Sequence, residues 1–339
     1  MFEPATGQCF TKIAAGNAAD IDVAVRAGRA ALSGEWGQMA AVDRGRLLVK
    51  VGTLILAHFD ELAALEARDT GKPLRQAQSD ITAAARYFEY YGTAADKVHG
   101  DTIPFTEGFF VTTEYLPHGV TGHIIPWNYP AQMLGRTLAP ALAMGNATVL
   151  KPAEDACLSS LRIVELCRDA GFPPGAISLV PGTGEDAGAA LAAHRGLDFI
   201  SFTGSPEVGA LVQIAAAHNH IGCTLELGGK SPQIIFADAD LDAAIPVVVA
   251  AIVQNSGQTC SAGARVLVET RIADIFTKKL KVAFSELIAG TPDMNLNLGP
   301  LINQSQKQRI EGYCSKADED GIPLLAIGRI SESVPEAGY

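Results

Sequence analysis

The sequence predicts an α/β fold built on a doubly wound, mostly parallel sheet. After Asp101, short β-branched runs alternate with helical segments of ten or more residues, which implies right-handed βαβ crossovers. The 339 residues are 48% hydrophobic and only 19% charged, so the chain can bury a large core. A chain of this length is expected to form about two domains.

The first hundred residues are predicted to be helical, because alanine-rich segments there carry apolar residues at helical spacing. These segments run from Ala18 to Leu32, from Ala40 to Arg68 and from Leu74 to Val98. Two β-branched runs follow, separated by Pro117 and Gly119, and they are predicted to be strands. They cover Phe110–Leu116 and Val120–Ile125.

Helices and strands are predicted to alternate through the rest of the chain. The predicted helices are 131–143, 158–170, 186–193, 207–217 and 241–254. The predicted strands are 147–150, 177–180, 197–202, 224–227, 233–236 and 264–268. Ligands of such sheets bind beyond the carboxyl ends of the strands, so the loops there are the candidates for chemistry.

Composition excludes several classes of function. The 26 basic residues are outnumbered by 37 acidic ones, the net charge is −11, and no basic run offers a nucleic-acid surface. The longest apolar stretch, 243–253, contains Pro246 and is too short to span a bilayer. The six scattered cysteines lack a CxxC pair and the start lacks signal-peptide features, so we expect reduced thiols in a cytoplasmic protein.

Two loops at predicted strand ends each allow a chemical and a structural interpretation. In Ile124–Pro130, two prolines and a tryptophan hold Asn128, whose amide can donate to an oxyanion or can cap the next helix. In Thr148–Glu154, Glu154 can accept the hydroxyls of an adenosine ribose, or it can form a solvated pair with Lys151.

A third loop, around Gly204 and Ser205, is predicted to bind a pyrophosphate or to be a plain turn with a serine cap. Gly182–Gly188 has one residue too many for a dinucleotide fingerprint, and Gly229–Ser231 lacks the first glycine of a phosphate loop. The pair His218 and His220 lacks neighbouring ligands at metal spacing, so no metal site is expected.

The strongest candidates for covalent chemistry are Glu226 and Cys260. Glu226 ends an apolar strand, where partial burial is expected to raise its pKa toward that of a useful general base. Cys260 lies in a small-residue loop between a helix and a strand, open to a substrate. The alternative for Cys260 is the usual role of a lone cysteine, a small buried core residue.

Five motifs in order resemble the NAD(P)-dependent aldehyde dehydrogenase superfamily. They are PWN at 126–128, KPAE at 151–154, FTGS at 202–205, LELGGKSP at 225–232 and GQTC at 257–260. The similarity runs from Pro4 to about Leu301 and includes Gly299 and Pro300.

The resemblance implies a mechanism of aldehyde oxidation to a carboxylic acid. Cys260 would attack the aldehyde as a thiolate, and the Asn128 amide with the Cys260 backbone N–H would hold the oxyanion of the thiohemiacetal. Hydride transfer to the nicotinamide would leave a thioester, and Glu226 would activate the water that hydrolyses it. Glu226 also favours hydrolysis over transfer to coenzyme A.

The resemblance also implies a cofactor site and a Rossmann-type cofactor domain. Glu154 is expected to favour NAD by repelling a 2′-phosphate, with NADP left open. The residues implied to bind the cofactor are Ile125, Trp127, Lys151, Glu154, Gly184, Gly204, Ser205 and Leu227.

The domains are predicted as 1–226, with the N-terminal helices and the NAD(P) site, and 227–339, a catalytic domain incomplete at its C-terminus. The family implies a homodimer or homotetramer. Thr137 stands where the family often has lysine, and Arg136 before it hints at an acidic aldehyde. The alternative function is a catalytically silent fragment that binds nucleotide or a partner subunit, and a weaker one is a coenzyme A-acylating dehydrogenase.

Overall fold

The computed structural model describes residues 1–339 and divides the chain into two compact units. The sheet unit comprises residues 13–62 and 79–226, and the thiol unit comprises residues 1–12, 63–78 and 227–339. The chain thus changes unit between Glu226 and Leu227, where the sequence predicts a domain boundary. Residues 1–12 and 63–78, which the prediction assigns to the first domain, belong to the thiol unit.

Twelve α-helices form the larger part of the regular structure. They are α1 (Ala18–Ser33), α2 (Glu35–Gln38), α3 (Ala41–Ala57), α4 (Phe59–Thr70), α5 (Leu74–Ala94), α6 (Pro130–Ala143), α7 (Leu158–Ala170), α8 (Ala189–Ala192), α9 (Pro206–His218), α10 (Leu241–Val253), α11 (Ala273–Ser285) and α12 (Gln304–Glu319). A π-helical turn, Gly184–Gly188, leads into α8.

Thirteen strands complete the element order. They are β1 (Phe2–Glu3), β2 (Gln8–Cys9), β3 (Thr102–Ile103), β4 (Val111–Thr112), β5 (Val120–Ile124), β6 (Ala147–Lys151), β7 (Ile177–Leu179), β8 (Phe199–Gly204), β9 (Gly222–Leu227), β10 (Pro232–Ile235), β11 (Arg265–Val268), β12 (Ile288–Ala289) and β13 (Arg329–Ile330).

The centre of the sheet unit is a five-stranded sheet in the order β7-β6-β5-β8-β9. The pairs β5–β6, β5–β8 and β6–β7 are parallel, and Gly122 lies opposite both Val149 and Ile200. The central strands β5 and β6 are buried almost throughout, as expected for parallel strands covered by helices on both faces. The predicted α/β class and parallel sheet are confirmed.

The thiol unit has its own small core. Strands β10 and β11 pair in parallel, and helices α10 and α11 pack against them. The buried side chains there are Ile235, Ile245, Val248, Val249, Phe276 and Leu280. These residues recur at helical spacing along α10 and α11, so burial of one apolar face holds both helices on the strands.

Three predicted elements differ from the structure. The helix expected over 186–193 is a π-helical turn followed by the four-residue helix α8. The helix expected over 40–68 is two helices, α3 and α4, with a break at His58, whose ring Nδ1 lies 2.9 Å from the carbonyl oxygen of Leu54. The strand expected over Phe110–Leu116 is reduced to β4, because only Val111 and Thr112 pair with a neighbouring strand, β3, and Phe110 and Leu116 are 83% and 72% exposed. No helix is both long and apolar enough to cross a membrane.

Candidate active-site residues

The residues predicted to bind a cofactor meet at one edge of the sheet unit. Strands β7, β6, β5 and β8 are neighbours in the sheet, and the candidate residues lie at the carboxyl ends of these strands or in the loops that follow. Only Leu227, the last residue of β9, belongs to the thiol unit. Because carboxyl ends of parallel strands meet at one edge, motifs far apart in sequence are brought together there.

Lys151 and Glu154 form the best-defined polar group of this edge. The Nζ of Lys151 lies 2.7 Å from Glu154 Oε2, and the backbone N–H of Gly184 donates to Glu154 Oε1 at 3.2 Å. The Lys151 side chain is only 3% exposed, so the alternative of a freely solvated pair is wrong for the lysine. Glu154 remains half exposed and its oxygens are accessible to a ligand.

The charge of Glu154 follows from its partners. Burial is the largest single effect on the pKa of its carboxyl and raises it, but the hydrogen bond from Lys151, the lysine's positive charge and two backbone N–H groups together outweigh it. The backbone N–H groups of Glu154 and Gly184 act in the same direction, so the pKa lies below its ordinary value. Glu154 is therefore an ionised acceptor at neutral pH.

Gly204 and Ser205 form the turn between β8 and α9. Ser205 is the N-cap of α9, and its hydroxyl accepts from the backbone N–H of Val208 at 3.3 Å, as the structural interpretation predicts. A Cβ on Gly204 would lie 2.5 Å from Cζ of Phe202, so any larger residue here would have to displace the Phe202 ring. The role in pyrophosphate binding stays a prediction.

Asn128 lies in the loop between β5 and α6. The loop begins at Ile125, which is buried and whose N–H donates to the Lys151 carbonyl at 3.1 Å. It ends at buried Tyr129, and Pro130 opens α6. Trp127 and Asn128 are half-buried within it, so the loop is fixed at both ends.

Glu226 lies near the end of β9 with a half-exposed side chain, and its role as a general base stays a prediction. The alternating pattern of β9 places Glu226 on the open face of the strand, with its side chain 49% exposed. Its Oε2 lies 3.1 Å from Nη2 of Arg136, which is on helix α6. The sequence singles out both residues but gives no sign of this pairing.

Residues of α6, β5, β8 and β9 line a cavity of about 260 Å³, and both members of this ion pair belong to its wall. Its wall includes His123, which sequence reasoning missed. The Nε2 of His123 lies 2.8 Å from the hydroxyl of Thr121, and its Nδ1 lies 2.6 Å from the hydroxyl of Thr137. Burial lowers the pKa of His123 to about 4, so the ring is neutral at neutral pH. The only sequence signal was a histidine inside a buried strand.

Cys260 is exposed, so the alternative of a buried core cysteine is wrong for this residue. That description fits Cys157 and Cys167, which are buried, and burial raises the pKa of the Cys167 thiol to about 12. A Cβ built on Gly229 would lie 3.6 Å from the carbonyl oxygen of Cys260, so the loop after β9 runs close to the thiol loop.

The loop that carries Cys260 has an unusual backbone. Asn255, Ser256 and Gly257 are all left-handed, with φ of 49°, 56° and 77°. Asn255 is nonetheless buried, and its N–H donates to Oε1 of Gln76 at 3.1 Å. Cys260 thus lies just after a tightly held turn at the end of α10.

The whole chain, residues 1–339, matches the model of the aldehyde dehydrogenase family. Mitochondrial aldehyde dehydrogenase of Rattus norvegicus is 43% identical over 330 residues, which is 96% of this chain and 64% of that protein. A solved structure of a Burkholderia cenocepacia protein, provisionally named aldehyde dehydrogenase, is 56% identical with a TM-score of 0.99. The match covers 100% of this chain and 71% of the solved Burkholderia chain.

An aldehyde dehydrogenase of Bacillus cereus, solved as its NAD⁺ complex, is 39% identical with a TM-score of 0.94, covering 96% of this chain and 67% of that one. The chain spans 63% to 66% of the length of the curated mitochondrial relatives.

Proposed function

The chain belongs to the aldehyde dehydrogenase family, and on that basis we propose that it oxidises an aldehyde to a carboxylic acid with NAD as the electron acceptor. The observation that carries the proposal is the exposed Cys260 thiol, held in a loop with a fixed backbone. A surface thiol in a rigid loop is suited to act as a nucleophile, since a substrate can reach it in one orientation.

The residues at the sheet edge fit a nicotinamide dinucleotide. An ionised Glu154, positioned by Lys151 and the Gly184 N–H, is suited to accept the two hydroxyls of an adenosine ribose. The same negative charge disfavours a 2′-phosphate, which supports NAD over NADP. Ser205 and the first turn of α9 offer backbone donors for the pyrophosphate.

The proposed chemistry begins at Cys260. Its thiolate adds to the aldehyde carbon, and the side-chain amide of Asn128 with the backbone N–H of Cys260 donates to the oxygen that becomes negative. Bound NAD would supply the hydride acceptor for the oxidation. The sulfur of Cys260 then holds the acyl group as a thioester.

Glu226 is proposed to complete the reaction. Its carboxylate takes a proton from water as the water oxygen bonds to the thioester carbon, and the thiolate of Cys260 leaves. The products are a carboxylic acid and the regenerated thiolate. Because Glu226 is paired with Arg136 in the structure, we propose that the pair opens during this step.

The test measures the formation of NADH by near-ultraviolet absorbance, with NAD and a panel of aldehydes. We expect turnover from the unaltered chain and no turnover from Cys260→Ala. Cys314→Ala is the matched control, because Cys314 is also an exposed thiol but lies in α12 outside the family motifs. That variant is expected to keep the activity.

Two other outcomes favour the alternatives. A folded chain that binds NADH but oxidises none of the aldehydes would overturn the proposal and support a protein that binds nucleotide without turnover. Turnover that depends on added coenzyme A would support an acylating dehydrogenase. A panel that includes aldehydes with and without a carboxylate also tests whether Arg136 favours an acidic substrate.

A further inference from the structure

The turn before Cys260 needs to be held in place. Left-handed φ values are rare for residues other than glycine, and Ser256 has neither the glycine backbone nor the local preference of asparagine. Three successive left-handed residues persist only where surrounding contacts over-determine them. The left-handed backbone at Ser256 therefore depends on the contacts that this residue makes.

The hydroxyl of Ser256 bonds both backbone groups of one residue. Its Oγ donates to the carbonyl oxygen of Gly299 at 2.8 Å, and it accepts from the N–H of Gly299 at 3.1 Å. A single side chain thus joins the left-handed turn to the segment around Gly299 by two hydrogen bonds. A methyl group at the same position could make neither.

Gly299 is itself a fixed point. A Cβ on it would lie 2.0 Å from the carbonyl oxygen of Gly71, so the two backbones are in direct contact. Lys72, which follows Gly71, has a fully buried side chain whose Nζ lies 3.3 Å from Glu66 Oε1. The Ser256 hydroxyl is therefore attached to a part of the thiol unit that has little room to move.

Gln258 makes a second link from the same turn. Its Nε2 donates to the carbonyl oxygen of Asn255 at 3.1 Å, and its Oε1 accepts from the N–H of Ile302 at 3.0 Å. The residues on both sides of Gly257 are thus tied to the 299–302 segment. Cys260 is two residues beyond Gln258, so these ties lie directly before the thiol in the chain.

We propose that Ser256 is a positioning residue for Cys260, which holds the thiol in its exposed orientation by clamping Gly299. The clamp offsets the unfavourable backbone of the turn. When the hydroxyl is removed, the turn relaxes and the thiol spends less time presented to an electrophile. This inference builds on the proposed role of Cys260 as nucleophile, but its test does not depend on turnover.

The experiment measures alkylation of individual cysteines by iodoacetamide, followed by peptide mass spectrometry. Cys314 in the same molecules is the internal reference, since it is exposed and lies in α12. In Ser256→Ala we expect the rate at Cys260, divided by that at Cys314, to fall about fivefold. A general loss of stability would accelerate both cysteines and would not lower this ratio.

Ser285→Ala is the matched control, because the Ser285 hydroxyl also donates to a backbone carbonyl, that of Lys281, but lies in α11. It is expected to leave the ratio unchanged. An unchanged ratio in Ser256→Ala would overturn the proposal, whether or not the chain oxidises aldehydes.

A measurement on the unaltered chain keeps the proposal testable if Ser256→Ala fails to fold. The N–H of Gly299 should be protected from hydrogen exchange, because it donates to the Ser256 hydroxyl. Exchange of this amide as fast as that of an unstructured peptide would mean that the clamp does not form, and the proposal would be wrong.

Discussion

At the scale of single residues, the pairing of Arg136 with Glu226 bears most directly on catalysis. The proposed general base has a cationic partner at 3.1 Å, and both side chains are partly open to solvent. Such a pair is weak enough to open during a reaction cycle, since exposed ion pairs contribute little net free energy. Arg136 therefore orients Glu226 without locking it.

The variant Glu226→Gln should separate the two halves of the proposed reaction. An amide cannot take the proton from water, so thioester hydrolysis should slow by about 10²–10⁴-fold. Formation of the thioester should still release one equivalent of NADH per chain. Rapid-mixing measurement of NADH absorbance should then show a burst followed by slow turnover.

Glu332→Gln serves as the comparison, since Glu332 is an exposed acid near the end of the chain and lies outside the family motifs. It should behave as the unaltered protein does. Steady turnover of Glu226→Gln at the original rate would exclude Glu226 as the base.

At the scale of elements, His123 joins strand β5 to helix α6. The hydroxyl of Thr121 also donates to the Ala147 carbonyl at 3.3 Å, so it accepts from Nε2–H of His123. The other ring nitrogen, Nδ1, must then accept from the hydroxyl of Thr137. Hydrogen-bond accounting thus assigns one neutral tautomer and fixes the position of α6, which carries Arg136.

This buried ring should make stability depend on pH. In the folded chain the pKa of His123 is about 4, and in the unfolded chain it returns to about 6.5. The unfolded state therefore binds a proton more readily. The contribution of His123 is fully present above about pH 6.5 and is lost as the pH falls toward about 4, a change on the order of 3 kcal/mol.

Urea unfolding measured between pH 7 and pH 4 in the unaltered chain and in His123→Gln tests this expectation. The other titratable groups around the cavity, His118, Arg136 and Glu226, are the same in both proteins. The difference between the two stability curves should therefore report His123. Parallel curves over this range would show that the ring is not held neutral.

Elements with strong local signals were predictable from the sequence. Helix α7 begins and ends at the predicted residues, because an apolar stripe and Gly171 in a left-handed C-cap define it. The strand predicted over 110–116 is wrong for most of its length, because the local signal alone was not sufficient. Its β-branched and aromatic residues suit a strand, but a strand requires partners, and local composition does not specify them.

At the scale of the whole molecule, the two units are interleaved along the chain. The chain changes unit after Lys12, Leu62, Gln78 and Glu226, so the thiol unit is assembled from three separate segments. The segment 63–78 supplies it with the fully buried pair of Glu66 and Lys72. Formation of this unit therefore requires contacts between residues distant in sequence, which slows folding.

Removing one member of this pair should destabilise the protein strongly. In Lys72→Met the Glu66 carboxylate loses a buried cationic partner, and the free energy of unfolding should fall by about 3–5 kcal/mol. Urea unfolding of the thiol unit is the measurement. The double variant Glu66→Leu with Lys72→Met should lose less than the single variant, because the Glu66 carboxylate is removed together with its cationic partner.

A double variant that is as unstable as Lys72→Met would show that the cost comes from lost packing and not from the unpaired charge. The sheet unit contains neither Glu66 nor Lys72, so its unfolding is the reference against which the loss in the thiol unit is compared.

The candidate site was predictable in its residue types but not in its environment. The motifs placed Lys151 and Glu154 at a strand end, and the structure brings Gly184 to them across 30 residues of sequence. The exposure of Glu226 and its pairing with Arg136 depend on how β9 lies beside α6. Such a contact between segments distant in sequence cannot be predicted from the pattern of a single sequence.

The half-exposed pair of Arg136 and Glu226 has a consequence for buffer composition. Dissolved ions reach both side chains and screen their attraction, and the screening length falls from about 10 Å at 0.1 M to about 3 Å at 1 M salt. Added salt therefore favours the open pair, in which the Glu226 carboxylate is free to turn. Ionic strength acts here as an external control on how often the proposed base is available.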